Sequence, residues 1–230
     1  MKIVCINGNI RTMDAHRSVA EAIAMEDGYI TKIGSNDDVR QEAEHADRVI
    51  DLGGQTMLPG FFDSHMHLLS YGYSKSMAYL DECSGIESLI ENVRAHIVNR
   101  NIKDGTWVEG RGWNETYYPE GRMPNRHDLD RISTEHMIAL GRSCSYICIV
   151  NTKTLMELGY YENPPTADVG SVEIGEDGHP TGVFVGEATH LIYSRIPTLG
   201  VEGTKQAVLA ACREYVTAGI TSVDTDDFEL

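Results

Sequence analysis

The strongest constraint on this chain is a change of pattern at Leu58-Pro59-Gly60. Residues 1–57 read as short apolar runs broken by tight-turn dipeptides. From residue 58 on, strand-like and helix-like stretches alternate. Strands alternating with helices imply a parallel sheet with helical crossovers. Short strands around Asn-Gly and Asp-Gly imply antiparallel hairpins. The expectation is a small antiparallel β unit over 1–57 and an α/β body over 58–230.

In the first part, Lys2–Ile6 is a strand candidate that runs into Asn7-Gly8, a hairpin dipeptide. Residues 20–25 and 29–33 flank Asp27-Gly28, the strongest hairpin signal in the chain. Ser35 is placed to cap a short acidic helix reaching Glu44, with Asp37 and Asp38 where the helix dipole favours them. In the second part, residues 61–67 read as a strand. Ile86, Leu89, Ile90, Val93 and Ile97 recur at helical spacing. Strands follow at 106–110 and from 137, the latter running on toward 149. Asn151 caps a helix that stops at Gly159. Glu176-Asp177-Gly178 turns a hairpin. Helices follow from Glu187 and over 201–218, and residues 220–223 form the last strand.

The formal charge of −16, from 19 Lys and Arg against 35 Asp and Glu, excludes most partners that are themselves anionic. Phosphate backbones and anionic membrane surfaces would repel such a chain, so neither nucleic acid nor membrane is an expected partner. No run approaches the roughly 18 apolar residues of a membrane span. The five cysteines form no CxxC pair, and a reducing cytosol is their simplest setting.

Chemistry concentrates in Asp63-Ser64-His65-Met66-His67. Two histidines at i and i+2 on a strand share a face, and neutral imidazole is a good ligand for zinc and similar metals. Asp63 lies on that face one step earlier and can orient a ring from outside the ligand set. With 9 His in 230 residues, roughly 0.35 such pairs arise by chance, so the pair gains its weight from context. That context is the end of an apolar strand opening a βα region, where ligands bind in parallel-sheet folds. Trp113 and Asn114 follow a strand and can line a pocket, with a core aromatic as the alternative for Trp113. Cys144 reads as a buried thiol, most of the histidines without ligand spacing (His136 among them) as surface residues, and Asp224, Asp226 and Asp227 as a solvated cluster, with a site role as the alternative.

The stretch from Leu58 to His67 resembles the first metal motif of the amidohydrolase superfamily. Trp107-Val108-Glu109-Gly110-Arg111-Gly112-Trp113-Asn114 is similar to a signature of its family 3 branch, which includes formamide deformylases and other metal-dependent hydrolases. Gly121-Arg122-Met123-Pro124-Asn125-Arg126-His127-Asp128-Leu129-Asp130, Val150-Asn151-Thr152-Lys153-Thr154-Leu155, Thr181-Gly182-Val183-Phe184-Val185-Gly186-Glu187-Ala188 and Gly219-Ile220-Thr221-Ser222-Val223 follow in the family order. The resemblance implies the N-terminal part of a (β/α)₈ TIM-type barrel after a β-sandwich domain. It implies one or two divalent metals, zinc first, and hydrolysis of a small-molecule amide or formamide bond by metal-activated water. His65 and His67 match the first ligand pair, and Glu187 matches a carboxylate placed to join the metals. Relatives carry Gly-His where this chain has Ser145-Tyr146, so Tyr146 enters as an altered substrate contact. The sequence leaves open whether copies assemble with one another.

A TIM barrel needs about 250 residues, and 173 remain after position 57. The family pattern places further histidines and the general-base Asp beyond Leu230. Two readings follow: a hydrolase whose remaining residues lie outside this chain, or a truncated, inactive metal-binding or interaction protein. A phosphoesterase-type barrel with the same histidine pair fits the leading β unit poorly.

Overall fold

The computed structural model describes residues 1–227. It resolves into two compact bodies, Met1–His65 with Tyr215–Asp224, and Met66–Glu214 with the residues from Thr225 on.

The first body contains β1 (Lys2–Ile6), β2 (Asn9–Arg11), β3 (Val19–Ala20), β4 (Ala22–Glu26), β5 (Tyr29–Gly34), α1 (Asn36–Glu44), β6 (Arg48–Asp51), β7 (Thr56–Met57) and most of β8 (Phe61–Met66). Four strands form a sheet in the order β5-β4-β1-β6, and three form a second in the order β3-β2-β7. Asp27-Gly28 turns the β4–β5 hairpin, with both residues at positive φ (50° and 87°), as a type I′ turn requires. Ser35 caps α1 through a reciprocal box with Asp38.

Asn7-Gly8 does not make the hairpin its sequence suggests. It carries the chain from one sheet to the other. The reason lies in β1, whose successive residues Val4 and Cys5 are both buried. Val4 packs with Ala22, Ala24 and Val39 on the α1 side. Cys5 packs with Ile10, Ala20 and Ile23 on the other. A strand buried on both faces belongs in the middle of a sheet, and β1 pairs with β4 on one edge and β6 on the other.

The chain continues through α2 (Leu68–Ser74), β9 (Ala78–Tyr79), α3 (Ile86–Arg100), β10 (Trp107–Trp113), α4 (Arg126–Asp130), β11 (Met137–Arg142), β12 (Ile147–Val150), α5 (Thr152–Glu157), β13 (Ser171–Ile174), β14 (Pro180–Val185), α6 (His190–Tyr193), α7 (Gly200–Thr217) and β15 (Ile220–Thr225). The main sheet has the order β13-β14-β12-β11-β10-β9, and no closed barrel forms among the described residues. Ile86, Leu89, Ile90 and Val93 of α3 are buried against Val108, Ile138 and Leu140 of this sheet, as the helical spacing predicts. Burying four such side chains contributes roughly 1.5–3 kcal/mol each.

The sheet is mixed rather than all parallel. β9, β10 and β11 are parallel, but β11–β12, β12–β14 and β13–β14 are antiparallel. The stretch read as one strand from 137 toward 149 is two strands joined by residues 143–146. Four residues are too few for a crossover of about a dozen. The chain reverses there instead, with Ser145 at φ 58°. β15 pairs with β8 in a separate two-stranded sheet.

Candidate metal centre

The site is built on the end of β8. Met66 is buried (7% exposed), which fixes the alternation of the strand. His65 and His67, on either side of it, therefore turn to the opposite face, and both are exposed. Asp63 accepts a hydrogen bond from the His65 backbone N–H at 3.2 Å, which ties its carboxylate to the strand at the first histidine.

The chain leaves β8 through His67 and enters α2. At the end of β15, the Asp226 N–H donates to the Met66 carbonyl at 2.8 Å. This contact joins the backbone that carries Asp226 to the residue between the two histidines. Thr225 Oγ1 accepts from the Leu68 N–H at 2.9 Å. Asp227 accepts from the N–H groups of Leu69 and Ser70 at 2.6 and 3.4 Å, and from the Ser70 hydroxyl at 3.1 Å. Burial pushes the Asp227 carboxyl up. The Thr225 hydroxyl and these N–H groups outweigh burial and hold it below the usual range.

One ligand atom each from His65, His67 and Asp226 lies within 4.8 Å of the other two. A tetrahedral ion with bonds of about 2.0–2.1 Å separates its ligands by about 3.4 Å. Exposed side chains reach that spacing by small rotations, so two imidazoles and a carboxylate on adjacent backbone fit a zinc-type ion. Asp226 is the member that sequence reasoning placed in a solvated cluster. Its position after a strand ending beside His67 was the available signal, and it needed the β8–β15 pairing to be read.

The other sequence-derived candidates gather elsewhere. Trp113 lies in the core, with no exposed surface and its indole N–H on the Leu140 carbonyl at 3.0 Å. Asn114 accepts from the Thr116 hydroxyl at 2.7 Å and from Arg142 at 3.1 Å. Tyr146 is 57% exposed, and its carbonyl accepts from the Gly186 N–H at 2.9 Å. Glu187 follows in the 3₁₀ turn Gly186–Thr189 and is exposed. These residues sit at or beyond the C-terminal ends of β10, β11 and β14, at one end of the main sheet. The group containing His65 and His67 takes its carboxylate from Asp226, and Glu187 is not in it.

Two further expectations change. Cys144 is exposed, and a hydrogen bond from Arg142 draws its thiol pKa down. Cys148, four residues on, is buried instead, as Cys5 and Cys83 are, and burial pushes its thiol up to about 12. His136 is buried, with the Ser133 hydroxyl 2.8 Å from Nδ1. Sequence reasoning also passed over Glu109, whose carboxyl is raised by burial despite the hydrogen bond it accepts from Tyr73. Glu109 lines an apolar cleft of about 650 Å³ with Tyr73, Met77, Tyr193 and Leu199.

Known proteins resemble this chain in sequence and in fold. A family model described as Amidohydrolase family matches residues 48–230. The chain is 29% identical over 228 residues to the putative amidohydrolase YtcJ of Bacillus subtilis (strain 168), covering 99% of this chain and 43% of that protein. It is 29% identical over 197 residues to the N-substituted formamide deformylase of Arthrobacter pascens, covering 84% and 35%. The crystal structure of an uncharacterized metal-dependent hydrolase from Pyrococcus horikoshii OT3 superposes with a TM-score of 0.69 at 24% identity, covering 97% of this chain and 42% of that one, and shows the same fold. The chain thus spans less than half the length of these relatives. With most of its length matched, the chain belongs to the amidohydrolase family.

Proposed function

We propose that this chain carries the first part of the active centre of a metal-dependent hydrolase of amide-type C–N bonds, with formamides and small N-acyl amines as the substrate class. The observation that carries this reading is the convergence of His65, His67 and Asp226 at the ends of β8 and β15. His65 and His67 would hold a divalent ion, zinc first, through neutral imidazole, and Asp226 would add a carboxylate oxygen. Such an ion supplies a water of lowered pKa and polarises a carbonyl. Asp63 steadies the strand at His65. Asn114 and Tyr146 are the proposed substrate contacts, with Trp113 packed beneath the strand end as support. Tyr146 offers a neutral phenol at pH 7, so it donates or accepts a hydrogen bond but does not act as a base. Glu187 is a candidate carboxylate for a second ion. The general base is assigned to a longer chain, and this chain alone is expected to bind metal without turnover.

Zinc titration of the 230-residue protein tests the reading, beside the His65→Ala/His67→Ala double variant. One tight equivalent lost in the double variant supports it, and identical binding in both proteins refutes it. A formamide and N-acyl amine panel on a full-length form with defined metal tests the substrate class. The inactive, metal-binding reading gains support if that form binds zinc and turns over nothing in the panel.

A further inference from the structure

We infer that Asp227 is a positioning residue for the metal centre, acting through the backbone that carries His67 and Asp226. The inference rests on the metal reading above. An α-helix leaves its first N–H groups without partners inside the helix, and a side chain at the N-cap normally takes one of them. In α2 the N-cap position is His67, and its side chain makes no capping hydrogen bond. An imidazole used as a metal ligand is not available for capping.

The cap is supplied from 157 and 158 residues away instead. Thr225 Oγ1 takes the Leu68 N–H, and the Asp227 carboxylate takes those of Leu69 and Ser70. The Thr225 hydroxyl in turn donates a hydrogen bond to Asp227 Oδ2 at 2.7 Å. The Asp227 side chain is only 6% exposed, and its Oδ1 lies 3.8 Å from His67 Nδ1. Asp226, its neighbour, is exposed.

The two adjacent carboxylates therefore do different work. Asp226 faces outward with the imidazoles. Asp227 turns inward and ties the end of β15 to the first turn of α2. Removing it frees the Leu69 and Ser70 N–H groups and loosens the backbone that sets the His67 ring against Asp226. Residues that orient metal ligands in this way typically change affinity 10- to 100-fold when removed.

The test measures Zn²⁺ affinity by chelator competition, and the visible spectrum of the Co²⁺ form, for the full 230-residue chain and its Asp227→Ala and Thr225→Val variants. Asp227→Ala is expected to weaken zinc at least tenfold and to alter the Co²⁺ bands, which report ligand geometry. Thr225→Val, which changes no charge, is expected to weaken zinc in the same direction and to shift the same bands. Should Asp227→Ala fail to fold, Thr225→Val decides. Weaker zinc in Asp227→Ala alone, with unaltered bands, means that only charge was lost and overturns the inference. So does unchanged affinity in both variants. Zinc binding that survives His65→Ala/His67→Ala overturns the metal reading itself, which is a separate result.

Discussion

Gly72→Ala sets two effects of opposite sign against each other, both read from α2. Alanine in place of glycine inside a helix gains about 1 kcal/mol of propensity. A Cβ at Gly72, however, would lie 2.0 Å from the carbonyl oxygen of Ala207 and 2.5 Å from its carbon. Ordinary contact begins near 3.4 Å, so α2 and α7 must separate by about 1.4 Å at their crossing. Both partners are helix backbone, and no rotamer change relieves the clash. Overpacking of this kind costs about 1–3 kcal/mol, and a clash with backbone belongs at the upper end. The net expectation is a loss of about 2 kcal/mol. For a chain of this size that corresponds to a fall in Tm of about 4–8 °C by circular dichroism. Because His67 is the N-cap residue of α2, zinc affinity should fall in the same variant. A Tm equal to or above that of the parent protein would show that the helices part without cost and would refute the packing argument.

Acid stability gives a second test. Asp128 is buried, where desolvation pushes its carboxyl up, but Arg122 at 2.6 and 2.9 Å and the Asn125 N–H outweigh this and hold it below its ordinary value of 3.8. A depressed carboxyl contributes stability above its unfolded-state pKa and loses it as pH falls through the folded one. Asp128→Asn should therefore cost about 1.5–3 kcal/mol at pH 7 in urea unfolding, with the gap to the parent protein closing below pH 3.8; a constant gap down to pH 2 would contradict the assignment. Cys144 gives a third test, because Arg142 lowers its thiol pKa. Peptide-resolved iodoacetamide labelling of Cys144 should move to higher pH in Arg142→Gln, and an unmoved profile would rule out the contact. Cys148 should label only on unfolding.

Features set by neighbours in sequence were legible. The β4–β5 turn follows from the positive-φ tolerance of Asp27-Gly28, and α1 follows from Ser35 and Asp38. The buried stripe of α3 follows from its spacing. Features set by pairing were not. Asn7-Gly8 has hairpin chemistry, yet β4 and β6 already occupy both edges of β1, so no edge is left for β2. Residues 143–146 contain no strong turn dipeptide, so β11 and β12 read as one strand. Cys144 and Cys148 carry opposite environments that composition does not distinguish: one lies in the reversal beside Arg142, the other in a buried strand.

The same limit explains why two residues of the proposed metal group were legible and the third was not. His65 and His67 lie two residues apart, and strand alternation alone puts them on one face. Asp226 reaches them only after 158 further residues have folded and β15 has paired with β8. A two-stranded pairing is marginal by itself, and Phe61 and Phe62 of β8 remain more than half exposed. The hydrogen bonds from α2 to Thr225 and Asp227 therefore matter more here than they would inside a wide sheet. They secure the strand end that carries Asp226. An ion bridging His65, His67 and Asp226 would close the same long loop again, so its binding free energy would also stabilise the β8–β15 pairing. In Asp224-Thr225-Asp226-Asp227, composition records three equivalent carboxylates. Burial separates a ligand candidate from a strut, and burial in this segment is decided by contacts more than 150 residues distant in sequence.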